Sequence, residues 1–546
     1  MITTIARTLS TLTLVALVTA CGTPAPTLAP TIAPVPTLAP TTVPAPTLVP
    51  TAVPAVKVDI AAIDAYMAKM LDTYEVPGAA IALVLPDGST YTRGYGVRDL
   101  ATKTPVTADT QFAIASVTKS FTSLGMLLLV DEGKVDLDAP VTTYLPEFQL
   151  ADPAMTPKVT VRHLLTHTTG MERNDAATFR PGITRDEIVA LAAETPLVAA
   201  PGEVFVYSNV NTIAAARIIE LVSGQSWEAF TRERVLEPLG LDHVTLDTAA
   251  LQQQPDYALP HDRDLLAGMM PTQLFEPGAE APAGGINASA NEMLRYLQFQ
   301  LGDGSMGGAP LLSAAALVEM HRPAIALSDQ FAQIAAAQGV PAPERLTSDD
   351  QYGMYWFNER LGGHRIVKHD GQVLGFSASM SFAPEANVGV VLLTNANYAL
   401  GFVETVRLRI LEELLAVEPR HDTYAVVEKQ MTVLGMDQVS MKQPSEAVHA
   451  FTPDSTQLVA LAGSYTTLAN NRPLTVSVVD ERGLLLEGGS ILGYDLPQIE
   501  LLPIAPDTFL VNTAPFRGLT MQFNADADEV TILQQGQPFA RRIVQP

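Results

Sequence analysis

After Lys57, apolar residues Ile60, Ile63, Met67 and Met70 recur at helical spacing, which predicts an amphipathic helix ending before Pro77-Gly78. A short apolar run over 79–85, the turn Pro86-Asp87-Gly88 and a second run over 91–97 then predict a β-hairpin. The β pattern returns only far downstream, over 365–368, 377–382 and 388–393, before a closing helical pattern over 403–417. Between the two β regions the periodicity is mostly helical, as in 117–130, apolar nearly all round, and in 212–222. Strands at both ends of a helical middle suggest an α/β (α+β) sandwich over 56–418 whose sheet is assembled from distant segments, an arrangement that periodicity alone does not give. The stretch 419–454 reads as polar, irregular linker. In 455–546 short strands are expected at 463–465, 474–479, 484–487, 509–512, 520–523 and 530–533. Gly, Pro, Asn and Asp punctuate them, which predicts a small C-terminal antiparallel β-barrel-like domain.

The first residues follow other rules. Met1 to Ala20 carries one charge, Arg7, then an apolar stretch and the small-residue ending Val18-Thr19-Ala20-Cys21-Gly22, the arrangement of a secretory signal over 1–20. At about 10 residues the apolar core is too short for a comfortable membrane span. The Ala-Cys-Gly ending resembles a bacterial lipobox, which implies lipidation of Cys21 and export across the cytoplasmic membrane to a lipid-anchored position facing the periplasm or cell exterior. An ordinary signal peptide with an incidental cysteine is the alternative. Residues 21–55 then form an uncharged Pro/Thr-rich tether, where frequent proline blocks helix and removes ladder donors. No other stretch is long and apolar enough to span a membrane.

Composition narrows the function classes. A net charge of −25 argues against nucleic acid as a partner, because phosphate binding relies on clustered Lys and Arg. A single cysteine excludes intramolecular disulfides, Cys-based zinc sites and iron–sulfur clusters.

Candidate chemistry concentrates at three places. Ser116-Val117-Thr118-Lys119 opens the apolar helical run, and residues three apart share a helix face, so Lys119 can reach the Ser116 hydroxyl as a self-activated nucleophile pair. A surface N-cap before an ordinary core helix would give the same pattern. Tyr207-Ser208-Asn209 sets a phenol beside an amide, able to relay protons and orient a carbonyl, or simply to cap a loop. His369-Asp370-Gly371 precedes an apolar alternation, where a glycine lets a substrate approach a strand edge and backbone N–H groups can form one arm of an oxyanion hole. His163 and His167, at i and i+4, are tempting metal ligands, but no third ligand is close in sequence and no metal or cofactor is expected.

Taken in order, the three motifs resemble those of serine β-lactamases and penicillin-binding proteins: Ser-x-x-Lys, Tyr-x-Asn, and Lys-Thr-Gly or its His-x-Gly replacement. The chain is most similar to the class C β-lactamase-related serine hydrolases. Phe112-Ala113-Ile114-Ala115 before Ser116, Val161 to Gly170, Pro282-Ala283-Gly284-Gly285-Ile286 and Tyr352-Gly353-Met354-Tyr355-Trp356 carry the likeness over about 57–418. It implies a β-lactamase/transpeptidase-type sandwich, an antiparallel sheet flanked by helices, in which Ser116 is the acylated nucleophile, Lys119 its proton acceptor and Tyr207 a second acid/base group. It further implies Asn209 as a substrate-amide contact, His369 in the place of the triad lysine beside Gly371, and the backbone N–H groups of Ser116 and Gln372 as the oxyanion hole. Asp370 departs from the small residue usual between His and Gly. The implied activity is hydrolysis of ester or amide bonds through an acyl-enzyme, acting on a small-molecule or peptide substrate, with efficient β-lactam cleavage less expected. The other reading is a catalytically idle member that binds cell-wall peptide or a protein partner; intact Ser116, Lys119 and Tyr207 argue against it.

Overall fold

The computed structural model describes residues 58–546, apart from short internal stretches, the longest being 435–447, and 544–546. The signal segment 1–20, Cys21 and the whole tether to residue 55 therefore lie outside the described residues. No helix among the described residues is long and apolar enough to cross a membrane.

A nine-stranded antiparallel sheet organises the first unit. Its spatial order is Ile325–Ala326, Ser348–Tyr352, Phe357–Leu361, His364–Val373, Phe376–Ala383, Val388–Thr394, Gly78–Val84, Thr90–Asp99 and Thr104–Pro105. The N-terminal hairpin thus joins the downstream strands directly, Ala79 opposite Thr394 and Val84 opposite Gly389. Gly78–Val84 is buried along its whole length because both faces are covered. Ala80, Ala82 and Val84 turn toward the helical middle, including Thr118–Asp131, Asn209–Ser223 and Ala290–Leu301. Ala79, Ile81 and Leu83 turn toward the terminal helices Ile60–Tyr74 and Leu400–Leu414. Such a strand has to read as a continuous apolar run, as 79–85 does.

The stretch expected to be linker contains the helix Thr423–Leu434. Val427 and Met431 are buried in the same cluster as Phe402, and Tyr74 hydrogen-bonds Glu428 at 2.7 Å. The i, i+4 spacing of these two apolar residues carried the signal, obscured by the charged and polar residues between them. The helix Ser455–Leu461, capped by Asp454, precedes the C-terminal strands. Those strands close into an eight-stranded barrel in chain order, with the small hairpin Ser490–Ile491 and Tyr494–Asp495 set aside between two of them and Gly463–Thr467 meeting Gln537–Arg542. Tyr465, Leu474, Leu486, Leu501, Phe509 and Phe523 are among the residues filling its interior.

Candidate active site

The helix Thr118–Asp131 is buried on every side, and a 3₁₀ turn over Ala115–Val117 leads into it. Ala115 adopts a left-handed φ of 48°, a conformation that costs a non-glycine residue of order 1 kcal/mol and here immediately precedes Ser116. The turn is braced from the Pro282-Ala283-Gly284-Gly285-Ile286 segment. Phe112–Ala113 pairs with Asn287–Ala288, Ile114 N donates to Ile286 O at 3.0 Å, and Thr122 Oγ1 donates to Pro282 O at 2.8 Å. Lys119 is fully buried; its Nζ donates to Ser116 Oγ at 3.1 Å and to Ala283 O at 2.9 Å. The helical spacing and the bracing segment together fix the serine–lysine contact.

Tyr207 lies across this pair, with the Lys119 Nζ 4.9 Å and the Arg173 guanidinium 5.5 Å from its ring centroid. His167 packs 4.6 Å from the same ring. His167 has left the short helix Val161–Leu165 at a left-handed φ of 53°, and its Nδ1 accepts from Ser208 N at 3.4 Å. Burial, followed by the Lys119 charge, holds the His167 ring well below the usual imidazole range. His163 does something else: its Nδ1 accepts from Thr160 N at 3.2 Å and closes a capping box. The two histidines are spaced for one helix face but do not share one.

Asn209 opens the helix Asn209–Ser223, and its backbone N–H donates to Asp175 Oδ1 at 2.7 Å, taking the place of a side-chain cap that Ser208 does not make. Its Nδ2 donates to Glu280 Oε2 at 3.2 Å, while its Oδ1 is buried without a partner.

His369 reaches the same group of residues from the strand His364–Val373, in register with Met380. Aromatic rings wall it in, with Phe357, Tyr207 and Tyr352 centroids at 5.5, 6.3 and 6.5 Å. The carbonyl of Asp370 can only accept, so Nδ1 donates to it at 2.6 Å and Nε2 is left as a buried, unpartnered acceptor. Burial, then the Lys119 charge, lowers His369 to about 4, which makes it neutral at pH 7. Gly371 passes so close to the turn that an added Cβ would lie 2.2 Å from Ile114 O and 3.0 Å from Ser116 N. Gln372 follows on the strand, opposite Ser377.

Alternation sends Lys368 and Asp370 to the other face of that strand. Lys368 Nζ lies 3.2 Å from Asp370 Oδ2 and 3.4 Å from Glu404 Oε2, and Arg407 Nη1 lies 2.7 Å from Glu359 Oε1. Burial opposes charge on Asp370, but Lys368 and Arg407 outweigh it and hold the carboxyl below its ordinary value. The departure at Asp370 therefore belongs to a buried ion network behind the sheet rather than to the cleft. Sequence reasoning missed this network, and it missed Asp175, Thr178 and Glu280 in the wall of the site. None sits in a local motif, and only the nearness of Glu280 to the Pro282–Gly285 segment hinted at it.

Among these residues, a serine is in contact with a buried lysine, beside a tyrosine, an amide with a free acceptor and a neutral histidine. That set suits acyl transfer to a serine hydroxyl. Comparisons with known proteins agree. The chain is 29% identical over 349 residues to penicillin-binding protein 4 of Amycolatopsis lactamdurans, covering 63% of this chain and 87% of that one. It is 33% identical over 273 residues to the esterase EstB of Burkholderia gladioli, covering 44% and 69%. In fold it is similar to an octameric penicillin-binding protein homologue from Pyrococcus abyssi, with a TM-score of 0.54 at 22% identity over 88% of this chain and 100% of that one. The profile of the family described as Beta-lactamase matches residues 63–415, well over half of the sequence and all of the residues assembled above, so the chain belongs to the beta-lactamase family.

Proposed function

We propose that this protein is an extracytoplasmic serine hydrolase that cleaves ester or amide bonds through an acyl-enzyme on Ser116, and that it favours esters and short peptides over β-lactams. The observation that carries this reading is the 3.1 Å contact between Ser116 Oγ and Lys119 Nζ, held by the second Lys119 bond to Ala283 O. In the proposed reaction Oγ attacks the substrate carbonyl carbon and its proton passes to Lys119 Nζ. The backbone N–H groups of Ser116 and Gln372 take the developing oxyanion. The carbon–leaving-group bond breaks as Tyr207, recharged from Lys119, protonates the leaving atom. Water then attacks the ester of Ser116 by the reverse proton route and frees the acid.

Substrate preference is argued from His369. A neutral ring with a bare Nε2 offers a carboxylate no cation, and lone pair would face lone pair. Substrates with a carboxylate beside the scissile bond, β-lactams included, should therefore bind less well than neutral esters. The esterase relative supports the same direction. The Ala20-Cys21-Gly22 ending and the uncharged tether support a lipid anchor on Cys21 as part of this proposal.

A fluorophosphonate probe tests the reading. Full-length protein should be labelled at Ser116, and Ser116→Ala should abolish labelling because no covalent adduct can form. Stoichiometric labelling of a different serine would overturn the assignment. For the anchor, Cys21→Ser should move the protein out of the membrane fraction. An unmodified wild-type N-terminus downstream of Cys21 would remove the lipid.

A further inference from the structure

Glu280 is buried in the wall of the site, and its proton can be located by counting hydrogen bonds. The Thr178 hydroxyl has one proton and two oxygen neighbours, the Asp175 carbonyl oxygen at 2.6 Å and Glu280 Oε1. A carbonyl oxygen cannot donate, so the Thr178 proton serves Asp175 O, and the Glu280 contact is made only if Oε1 carries a proton and donates it to Thr178. Oε2 is then a plain acceptor, and Asn209 Nδ2 donates to it at 3.2 Å. Turning the Asn209 amide over would set its oxygen against Oε2 and require the acid proton there. Thr178 would then have to donate to both of its neighbours with one proton. The network thus admits one amide orientation, with Oδ1 left as a buried acceptor that no protein group fills.

We infer that Glu280 is a positioning residue for substrate selection: as a neutral acid hydrogen-bonded to Thr178 it pins the Asn209 amide, so that Oδ1 awaits a donor and the enzyme prefers acyl groups bearing an N–H next to the scissile carbonyl. This deepens the serine hydrolase reading and rests on it. The surroundings favour the neutral acid. Burial comes first and the Asp175 carboxylate second, and together they raise Glu280 to about 8 against the opposing Lys119 and Arg173 charges. Asp175 itself is committed to Arg173 Nε at 2.8 Å and to the Asn209 backbone N–H, so it cannot also orient the side-chain amide.

The test uses two activated esters with one leaving group, p-nitrophenyl N-acetylglycinate and p-nitrophenyl acetoxyacetate, in which oxygen replaces the N–H. The expected wild-type ratio of kcat/KM, after subtracting spontaneous hydrolysis, is about tenfold to a hundredfold in favour of the N–H substrate, the range for one buried acceptor filled or left empty. Glu280→Gln keeps an acceptor for Asn209 and a donor for Thr178, so it should hold that ratio within about threefold. Glu280→Ala and Asn209→Ala should bring it toward one. Should Glu280→Ala not fold, Glu280→Met fills a similar volume without an acceptor and gives the same readout. A wild-type ratio near one, or a ratio that survives in the Ala or Met variant, would overturn the inference. Loss of the ratio in Glu280→Gln would overturn it as well, because the acceptor is still present. Failure of wild-type enzyme to release p-nitrophenolate or to label at Ser116 would instead bring down the hydrolase reading, and the inference with it.

Discussion

Substituting alanine for Gly371 tests the geometry of the nucleophile turn without touching a polar group. The new Cβ would sit 2.2 Å from Ile114 O, 3.0 Å from Ser116 N and 3.1 Å from Ala115 Cβ. A carbon beside a carbonyl oxygen needs roughly 3.2 Å, so about 1 Å of movement must be found. Neither side yields easily. Gly371 is held on one edge by its pairing with Ala378, three residues beyond the stretch 364–368 that is paired on the other edge as well, while Ile114 N is tied to Ile286 O at 3.0 Å. Shared between them, the displacement reaches Ser116 directly, and misplacing reacting groups by about 1 Å costs on the order of 10²-fold in rate. Overpacking of this kind should also cost about 1–3 kcal/mol of stability. Gly284→Ala is the control, since its Cβ would meet nothing nearer than Ala115 C at 3.8 Å, an ordinary contact beside the same turn. The assay is the second-order rate of fluorophosphonate labelling, with a thermal melt to establish that each variant is folded. Gly371→Ala should label about 10²-fold more slowly, and Gly284→Ala at close to the wild-type rate. Folded Gly371→Ala labelling within about threefold of wild type, or both variants falling together, would refute the clash reasoning.

Lys119→Ala should slow ester turnover by on the order of 10²-fold or more, measured as single-turnover acylation, because general-base assistance is typically worth that much. In a substrate panel, short-chain esters should be turned over and nitrocefin only weakly; efficient nitrocefin cleavage with negligible ester hydrolysis would contradict a neutral His369. Stability should fall as pH drops from about 6.5 toward 4, because His369, His167 and His321, the last buried at the end of the helix Ala314–His321, take up protons in the unfolded chain at their ordinary value while burial keeps them neutral in the fold. Ring resonances of all three titrating near 6.5 in the folded protein would refute this. A chain ending near Pro444 keeps the helix Thr423–Leu434 and should stay within about tenfold of full length on a small ester. A monodisperse truncated protein that no longer labels at Ser116 would show that the barrel completes the site.

What the sequence made legible was whatever depends on near neighbours. Ser116 and Lys119 meet because residues three apart share a helix face, and the strand 78–84 reads as apolar because both of its faces are covered. The pairing of that strand with 388–394 follows from no local pattern, since either could have joined other partners. The short strands Ser348–Tyr352 and Phe357–Leu361 carry adjacent charged residues, Asp349-Asp350 and Glu359-Arg360, and so look like loop. Glu280 and the network of Lys368, Glu359, Glu404 and Arg407 were hidden for another reason. A charged residue in a sequence is expected at the surface, and only the three-dimensional structure reveals that these four, together with Asp370, pair with one another behind a strand.

The barrel extends the same point to the whole chain. Distance along the sequence and the stretch 419–454 suggested a unit remote from the site, yet Arg517 forms an ion pair with the buried Asp262, and Asn512 Nδ2 donates to Asp264 Oδ2 at 3.1 Å. Leu265 packs with Leu502 and Leu510 beside them. These contacts fall on the hairpin His261–Asp264 with Gly268–Pro271, whose His261 O accepts from Asn397 N at 2.9 Å and whose Pro260 lies against Gly375 at the end of the strand that carries His369. The path from barrel to cleft is therefore one hairpin long. Every bond that sets the Ser116–Lys119 contact is nevertheless made within the first unit, by the Pro282–Ile286 segment and the helix itself. Removing the barrel would leave Asp262 without Arg517 and leave Leu265 uncovered, which acts on stability and on the shape of the cleft edge before it acts on acylation. The consequence to look for is a lower melting temperature and a raised KM for bulky substrates, with kcat on a small ester nearly unchanged.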